Sequence, residues 1–325
     1  MPTRRTFTRW TVTALALCAP FAAPAQTYPE RPIRMIVGFP PGNSTDSVAR
    51  LIAQKMGEEL KQTVFVDNRV GAAGIISHEA VKNSPPDGYT LLMGSSATLA
   101  INPTLYRKLP YDPLRDFEPV VTVSKGPLYL VASNTTPVKN FKEFVAYVKG
   151  NPGKATYGTG GNGTTQHIAM EMLKKALDLD ILHVPYKGSP QMITDIIGGQ
   201  INFAFDSGPS IVPHVKDGRV RALAVSATQR TLVQPDVPTV AEQGVPGFEA
   251  VAWLAIVAPR GTPAAVVQRL NAAANVALKS PEVIAQTNLT GGTLIGGTVT
   301  ELSAYMRSEL ARWGKAVKDS GAQVD

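Results

Sequence analysis

The feature that most constrains this chain is an alternation of short apolar runs with amphipathic ones, carried through twice. Residues 33–39 (IRMIVGF), 64–66 and 89–93 (YTLLM) read as strands. Helix-like segments separate them; in the first, Val48, Leu51, Ile52, Met56 and Leu60 share one face at helical spacing. A second series starts after Pro127, with strand-like runs at 128–132, 155–157, 181–184, 201–205 and 222–225. Its helical stretches lie at 141–149, 191–197 and 210–216, and Ile168, Ala169, Met172, Leu173 and Ala176 form another stripe. A late apolar run at 252–258 (AWLAIVA) precedes two closing helices near 264–278 and 300–320. Such alternation predicts an α/β fold with parallel strands and crossover helices. Two series predict two lobes, 26–124 with 252–325 and 125–251. The chain crosses between them twice, which makes a hinge with a ligand cleft beside it.

The segment before the first strand is of a different kind. Arg4, Arg5 and Arg9 precede an apolar run at 12–22, and Ala23-Pro24-Ala25 is an A-x-A cleavage site. This is the pattern of a secretory signal peptide, 1–25, and its apolar run is too short to span a bilayer. The Arg4-Arg5 pair fits a twin-arginine export signal and equally an ordinary basic region. Cleavage removes Cys18, the single cysteine, so disulfides, thiolate metal sites and cysteine nucleophiles are excluded from the mature chain. It also lowers the net charge from +7 to +4, with the three arginines removed. That mild, scattered excess argues against a nucleic-acid groove and suits attraction of small anions.

Within the second series, YGTGGNGTTQH at 157–167 has Gly158, Gly160 and Gly163 in G-x-G-x-x-G spacing. A dinucleotide site needs an acid at the end of the next strand. Asp178 and Asp180 precede that strand, and it ends in Pro185-Tyr186-Lys187-Gly188. The dinucleotide reading therefore fails, but its physics remains. Glycines admit close backbone approach, and the N-terminus of the following helix favours an anion. Thr164 and Thr165 are available as its caps. The same arrangement recurs at 39–46 (FPPGNSTD), where Asn43 or Ser44 caps the first helix and Asp46 enters its first turn. A third loop, 94–98, offers Ser95 and Ser96. Three donor-rich helix starts from two lobes, converging on one crevice, are what a small carboxylate needs.

With these stretches in order, the chain resembles the Bug family, the TctC-like receptors of tripartite tricarboxylate transport systems. The matching pieces include YPERPIRMIVGFPPGNSTD at 28–46, PDGYTLLMGSSATLAINPTLY at 86–106, LPYDP at 109–113, NPGKATYGTGGNGTTQH at 151–167, HVPYKGSPQMITDIIGGQINFAFD at 183–206, RALAVSATQR at 221–230 and DVPTVAEQGVPGFEA at 236–250. The resemblance implies a type II periplasmic-binding fold that closes on a small carboxylate and hands it to integral-membrane transporter subunits. It implies a receptor in the periplasm; a monomer without a cofactor is expected, and His78, His183 and His214 are too widely spaced, and lack the carboxylate partners, for a metal site. It assigns the carboxylate to Gly42, Asn43, Ser44 and Thr45 on one side and Gly161, Asn162, Gly163 and Thr164 on the other. Ser95, Ser96 and Asp206 line the rest. The family commonly has a glycine pair after the prolines; here the second position is Asn43.

Further residues keep two readings at this level. Asp206 follows a strand and accepts either from a ligand or from loop N–H groups. His167 contacts ligand or packs on the glycine loop. Phe39 and Tyr157 form aromatic walls or core, and Trp253 is expected to be structural. An exported hydrolase is the competing class; it would need an activated nucleophile with its base. The chain has no G-x-S-x-G and no H-E-x-x-H. A sensor that presents its closed form to a signalling partner would share all of these features.

Overall fold

The computed structural model describes residues 28–322; the signal segment, its cleavage site and Cys18 lie outside the described residues. The first series forms β1 (Ile33–Val37), α1 (Ser44–Leu60), β2 (Val64–Asn68), α2 (Ile75–Lys82) and β3 (Thr90–Ser95). Strands β1, β2 and β3 are parallel, in the order β2-β1-β3. A buried π-helical turn, Ala97–Ile101, and the short α3 (Asn102–Leu105) follow.

Periodicity marks only part of the next strand. β4 (Phe117–Ser133) runs unbroken for 17 residues, whereas periodicity marks only 128–132. Pro119, Lys125, Gly126 and Pro127 interrupt the apolar pattern. Backbone pairing keeps the strand extended, with register shifts between Pro119 and Val121 and between Thr122 and Ser124. The second series comprises α4 (Phe141–Gly150), β5 (Thr156–Thr159), α5 (Thr165–Leu177), β6 (Leu182–Pro185), α6 (Ser189–Ile197), β7 (Phe203–Ser207), α7 (Gly208–Lys216) and β8 (Val220–Val225). β9 (Val251–Pro259) then returns, followed by α8 (Ala264–Leu278), α9 (Pro281–Asn288), β10 (Thr293–Gly296) and α10 (Val299–Ser320). α9 and β10 carry no strong periodicity, so sequence does not mark them.

The strand order β2-β1-β3-β9-β4-β7-β5-β6 makes β4 the shared member of both lobes. Its first part, Phe117 to Pro127, pairs antiparallel with β9; Leu128 to Ala132 pair with β7. The two expected crossings are thus one antiparallel ribbon. Three apolar clusters pack on this frame. One lies beneath α1 and α8, one beneath α6 and α7, and the largest follows β4 and β9 to α5 and α10. Trp253 and Trp313 both donate their indole N–H to Glu309 Oε2, at 2.7 and 3.0 Å, so a buried carboxylate ties the ribbon to the last helix.

Candidate functional site

Two strand-to-helix turns build the site. After β1, Gly42 takes φ +81 and lets the chain turn into α1. Of the two proposed caps, Asn43 serves: its Oδ1 accepts from Thr45 N–H at 2.9 Å. Asp46 accepts from Gly42 N–H, Asn68 and Arg50 in its own lobe. Burial opposes its ionisation, but those hydrogen bonds outweigh it and hold the carboxyl below its ordinary range. Asp46 is therefore a structural acid. After β5, Thr164 caps α5 and Gly161 and Gly163 hold φ of +129 and +77. Near each turn the first helical amides have no intrahelical acceptor and the dipole is positive.

The two turns face each other across a cavity of about 420 Å³. Three hydrogen bonds join the lobes there. Ser207 Oγ donates to Ser44 Oγ at 2.7 Å, Ser96 and Thr165 share a hydroxyl contact of 2.8 Å, and Asn43 Nδ2 reaches Ser189 Oγ at 3.4 Å. Beyond this polar end the cavity runs along α1 past Val48 and Leu51, a length of about 10 Å at 1.5 Å per residue. Pro127, Pro209, Pro213 and Leu254 add apolar wall, and Gln286, Thr287 and Thr290 form the far end. None of the serines on its wall hydrogen-bonds a histidine.

Of the residues singled out from sequence, Phe39, Asn43, Ser44, Thr45, Ser95, Ser96 and Thr164 line the cavity, as does Gly160. Gly42 shapes the first turn without lining it. Gly161 N–H goes to Thr159 Oγ1 and Gly163 N–H to His167 Nδ1, so these amides have internal acceptors; Asn162 is exposed. Tyr157 is fully buried, with its hydroxyl on Glu171 at 2.5 Å. His167 packs behind the loop, stacked on His183. Asp206 is fully buried beneath the site. Its Oδ1 accepts from Gln166 Nε2 (3.0 Å), Ser189 Oγ (3.0 Å) and Ser207 N–H (2.8 Å), while Oδ2 has no partner. Burial raises its pKa to about 6, against the lowering effect of those hydrogen bonds. Of its two readings, the structure favours the one that organises loops.

Sequence reasoning missed Ser207, Gln166 and the α9 residues, and named Thr165 only as a candidate cap, whereas it lines the cavity. Ser207 carried a usable signal, since Asp206-Ser207-Gly208-Pro209 is a third strand-to-helix turn of the same kind, with Pro209 in the first turn of α7. Trp253, expected to be structural, has its indole buried on Glu309 and also lines the cavity, its backbone N–H donating to Ser96 Oγ at 3.3 Å.

Comparison with known proteins agrees with this geometry. Residues 48–322 match the family model described as tripartite tricarboxylate transporter family receptor, TctC. The chain is similar to the protein BugT of Bordetella pertussis, 37% identical over 309 residues, covering 94% of this chain and 95% of BugT. It is also similar in structure to an R. palustris protein solved with adipate (TM-score 0.89, 34% identity, 91% of this chain and 100% of the other). MatC from Rhodopseudomonas palustris, with bound malate, superposes with a TM-score of 0.86 at 33% identity, over 89% of this chain and 100% of MatC. The two-lobed α/β fold is that of periplasmic binding proteins. The chain belongs to the TctC family, the receptors of tripartite tricarboxylate transporters, and is a periplasmic solute-binding receptor of the Bug type rather than an enzyme.

Proposed function

We propose that this receptor captures a small organic carboxylate between the starts of α1 and α5 and delivers it to the membrane subunits of a tripartite transporter. The observation that carries the reading is the convergence of two helix N-termini from different lobes on one cavity, rimmed by Ser44, Ser96, Thr165 and Ser207. The relatives solved with adipate and malate support it. Each hydrogen bond to a charged group contributes roughly 1.5–3 kcal/mol, and a few in a closed cleft reach micromolar affinity, about −8 kcal/mol.

On this reading Asn43, Ser44, Thr45, Ser95, Ser96 and Thr164 contact the ligand, with Phe39 as a wall. Gly42, Tyr157, Gly161, Asn162, Gly163, His167 and Asp206 shape the loops that do so. The lobes are 26–124 with 252–325 and 125–251, hinged on the β4–β9 ribbon. The receptor works as a monomer, exported by a leader cleaved near Ala25, with Arg4-Arg5 serving either the twin-arginine route or an ordinary basic region.

The test is a thermal-shift screen with adipate, malate, benzoate and glutamate. A binder at 100 times its Kd stabilises the fold by about 2.7 kcal/mol. Stabilisation by neutral analogues as strong as by the acids would refute an anion site.

A further inference from the structure

We infer that the stacked imidazoles of His167 and His183 are positioning residues for the glycine loop, holding residues 159–164 in the shape that faces the cavity. The inference rests on the reading of that loop as part of the binding site. Three rings form one column behind it. His167 lies 4.3 Å from His183 at 11°, and His183 lies 4.7 Å from Tyr157 at 16°.

The polar edges of the column meet the loop. His167 Nδ1 accepts the Gly163 N–H at 3.3 Å. His183 Nε2 lies 2.7 Å from Thr159 Oγ1, which accepts the Gly161 N–H at 3.2 Å and donates to the Gly161 carbonyl, also at 3.2 Å. One imidazole thus holds Gly163 directly, and the other holds Gly161 through Thr159. At the far end of the column Tyr157 donates to Glu171, and Lys174 pairs with Glu171 and lies 5.9 Å from the Tyr157 ring centroid.

The loop needs such a holder. Gly161 and Gly163 lie at positive φ, and glycine loses more conformational freedom on ordering than any other residue. A Cβ at Gly163 would lie 3.0 to 3.3 Å from Leu105, Asn102 and Tyr106 of the other lobe, so α3 and the residue after it leave no room for a side chain at that position.

The direct hold on Gly163 requires a neutral His167. A nitrogen that accepts the Gly163 N–H carries no proton, and two imidazolium charges at 4.3 Å repel. Burial pushes both histidines down, with Lys174 adding to it; Glu171 opposes at His167, and His167 itself lowers His183, which falls to about 3. Tyr106, at the Gly163 face, stays neutral because burial raises it. A histidine whose folded value lies below the free 6.5 is held neutral by the fold. As pH falls through 6.5, the released loop takes up protons more readily than the held one, and the hold weakens.

Amide hydrogen exchange on the folded protein tests this without any ligand. In His167→Phe, which keeps the ring and loses the acceptor, Gly163 N–H should exchange at least tenfold faster than in the wild type at pH 7, with β7 unchanged. His167→Asn, whose Oδ1 can take the place of Nδ1, should restore most of the protection. It should also remove the loss of Gly163 protection that the wild type shows, after correction for intrinsic exchange, between pH 7 and pH 5. Unchanged exchange in His167→Phe, or equal loss in both variants, overturns the inference. Calorimetric titration with adipate is the second arm: affinity should fall at least tenfold in His167→Phe and be kept in His167→Asn. A loosened loop with unchanged adipate affinity overturns the link to binding. A wild type that binds no organic acid overturns the functional reading instead, and the exchange result still decides the hold on the loop.

Discussion

Ser207 donates its hydroxyl to Ser44 at 2.7 Å although the two lie 163 positions apart, at the end of β7 and the start of α1. With the Ser96–Thr165 contact it makes the mouth of the cleft a ring of hydroxyls contributed by both lobes. Each of these four hydroxyls has a partner in the other lobe. Closure therefore leaves few polar groups stranded, the condition under which a cleft can close at small net cost.

Ser207→Ala should destabilise the closed form by about 1 kcal/mol, the worth of one neutral hydrogen bond. Small-angle scattering should detect a larger mean radius of gyration than the wild type. An unchanged scattering curve, with the same ligand affinity, would remove Ser207 from the closure mechanism.

Gly161→Val should abolish ligand-induced stabilisation while leaving the fold intact. At φ +129 a β-branched side chain is strained, and its Cβ would lie 2.9 Å from the Tyr186 carbonyl oxygen. A thermal shift that survives this substitution would show that the glycine loop does not bind.

Asp206 should make stability depend on pH in a direction opposite to that of most carboxylates. Its folded pKa, about 6, lies above the ordinary 3.8. Above pH 6 the fold carries an ionised buried acid; below 3.8 both states are protonated and the cost vanishes. Relative to Asp206→Asn, the wild type should therefore gain stability as pH falls from about 6 towards 4, by up to roughly 3 kcal/mol. Urea unfolding of both proteins at pH 7 and pH 4.5 measures it, and a difference independent of pH would refute the assignment.

Glu309→Ala should cost about 3 kcal/mol. It strands the indole N–H groups of Trp253 and Trp313 and leaves Arg312 without its partner; Arg312 is about a third exposed, which keeps the cost at the low end for a broken buried pair. Tryptophan emission should shift to the red in the folded variant. A loss below 0.5 kcal/mol would mean that the ribbon does not depend on this anchor.

Asn43→Gly should leave stability within a few tenths of a kcal/mol, because glycine is itself an acceptable cap. It removes the side chain that lines the cavity and reaches Ser189, so bulkier acids should gain affinity relative to smaller ones in a thermal-shift panel. An unaltered preference would exclude Asn43 as a determinant of ligand size.

Much of the architecture was legible because it is encoded in local periodicity. The segment 264–278 was read with the bounds that α8 takes, and the stripe from Val48 to Leu60 lies within α1. The caps at Asn43 and Thr164 follow from short polar side chains before an apolar stripe, a pattern that acts within four residues. The joint order of the quoted motifs was enough to indicate the family. What sequence alone could not determine were features set by partners distant in the chain. β4 is a single strand through two prolines because β9, β7 and β8 supply its hydrogen bonds, and no local propensity encodes that. Sequence leaves the amides of Gly161 and Gly163 free for a ligand, whereas in the fold Thr159 and His167 accept them. Ser207 and Ser44, and Ser96 and Thr165, meet only once the ribbon has brought the lobes together, and Trp253 reaches Glu309 only when the last helix packs on that ribbon. Local sequence chooses helix, strand and cap through contacts a few residues apart. The pairs that join the lobes across the cavity lie more than sixty residues apart, and only the packed sheet fixes which of them face each other.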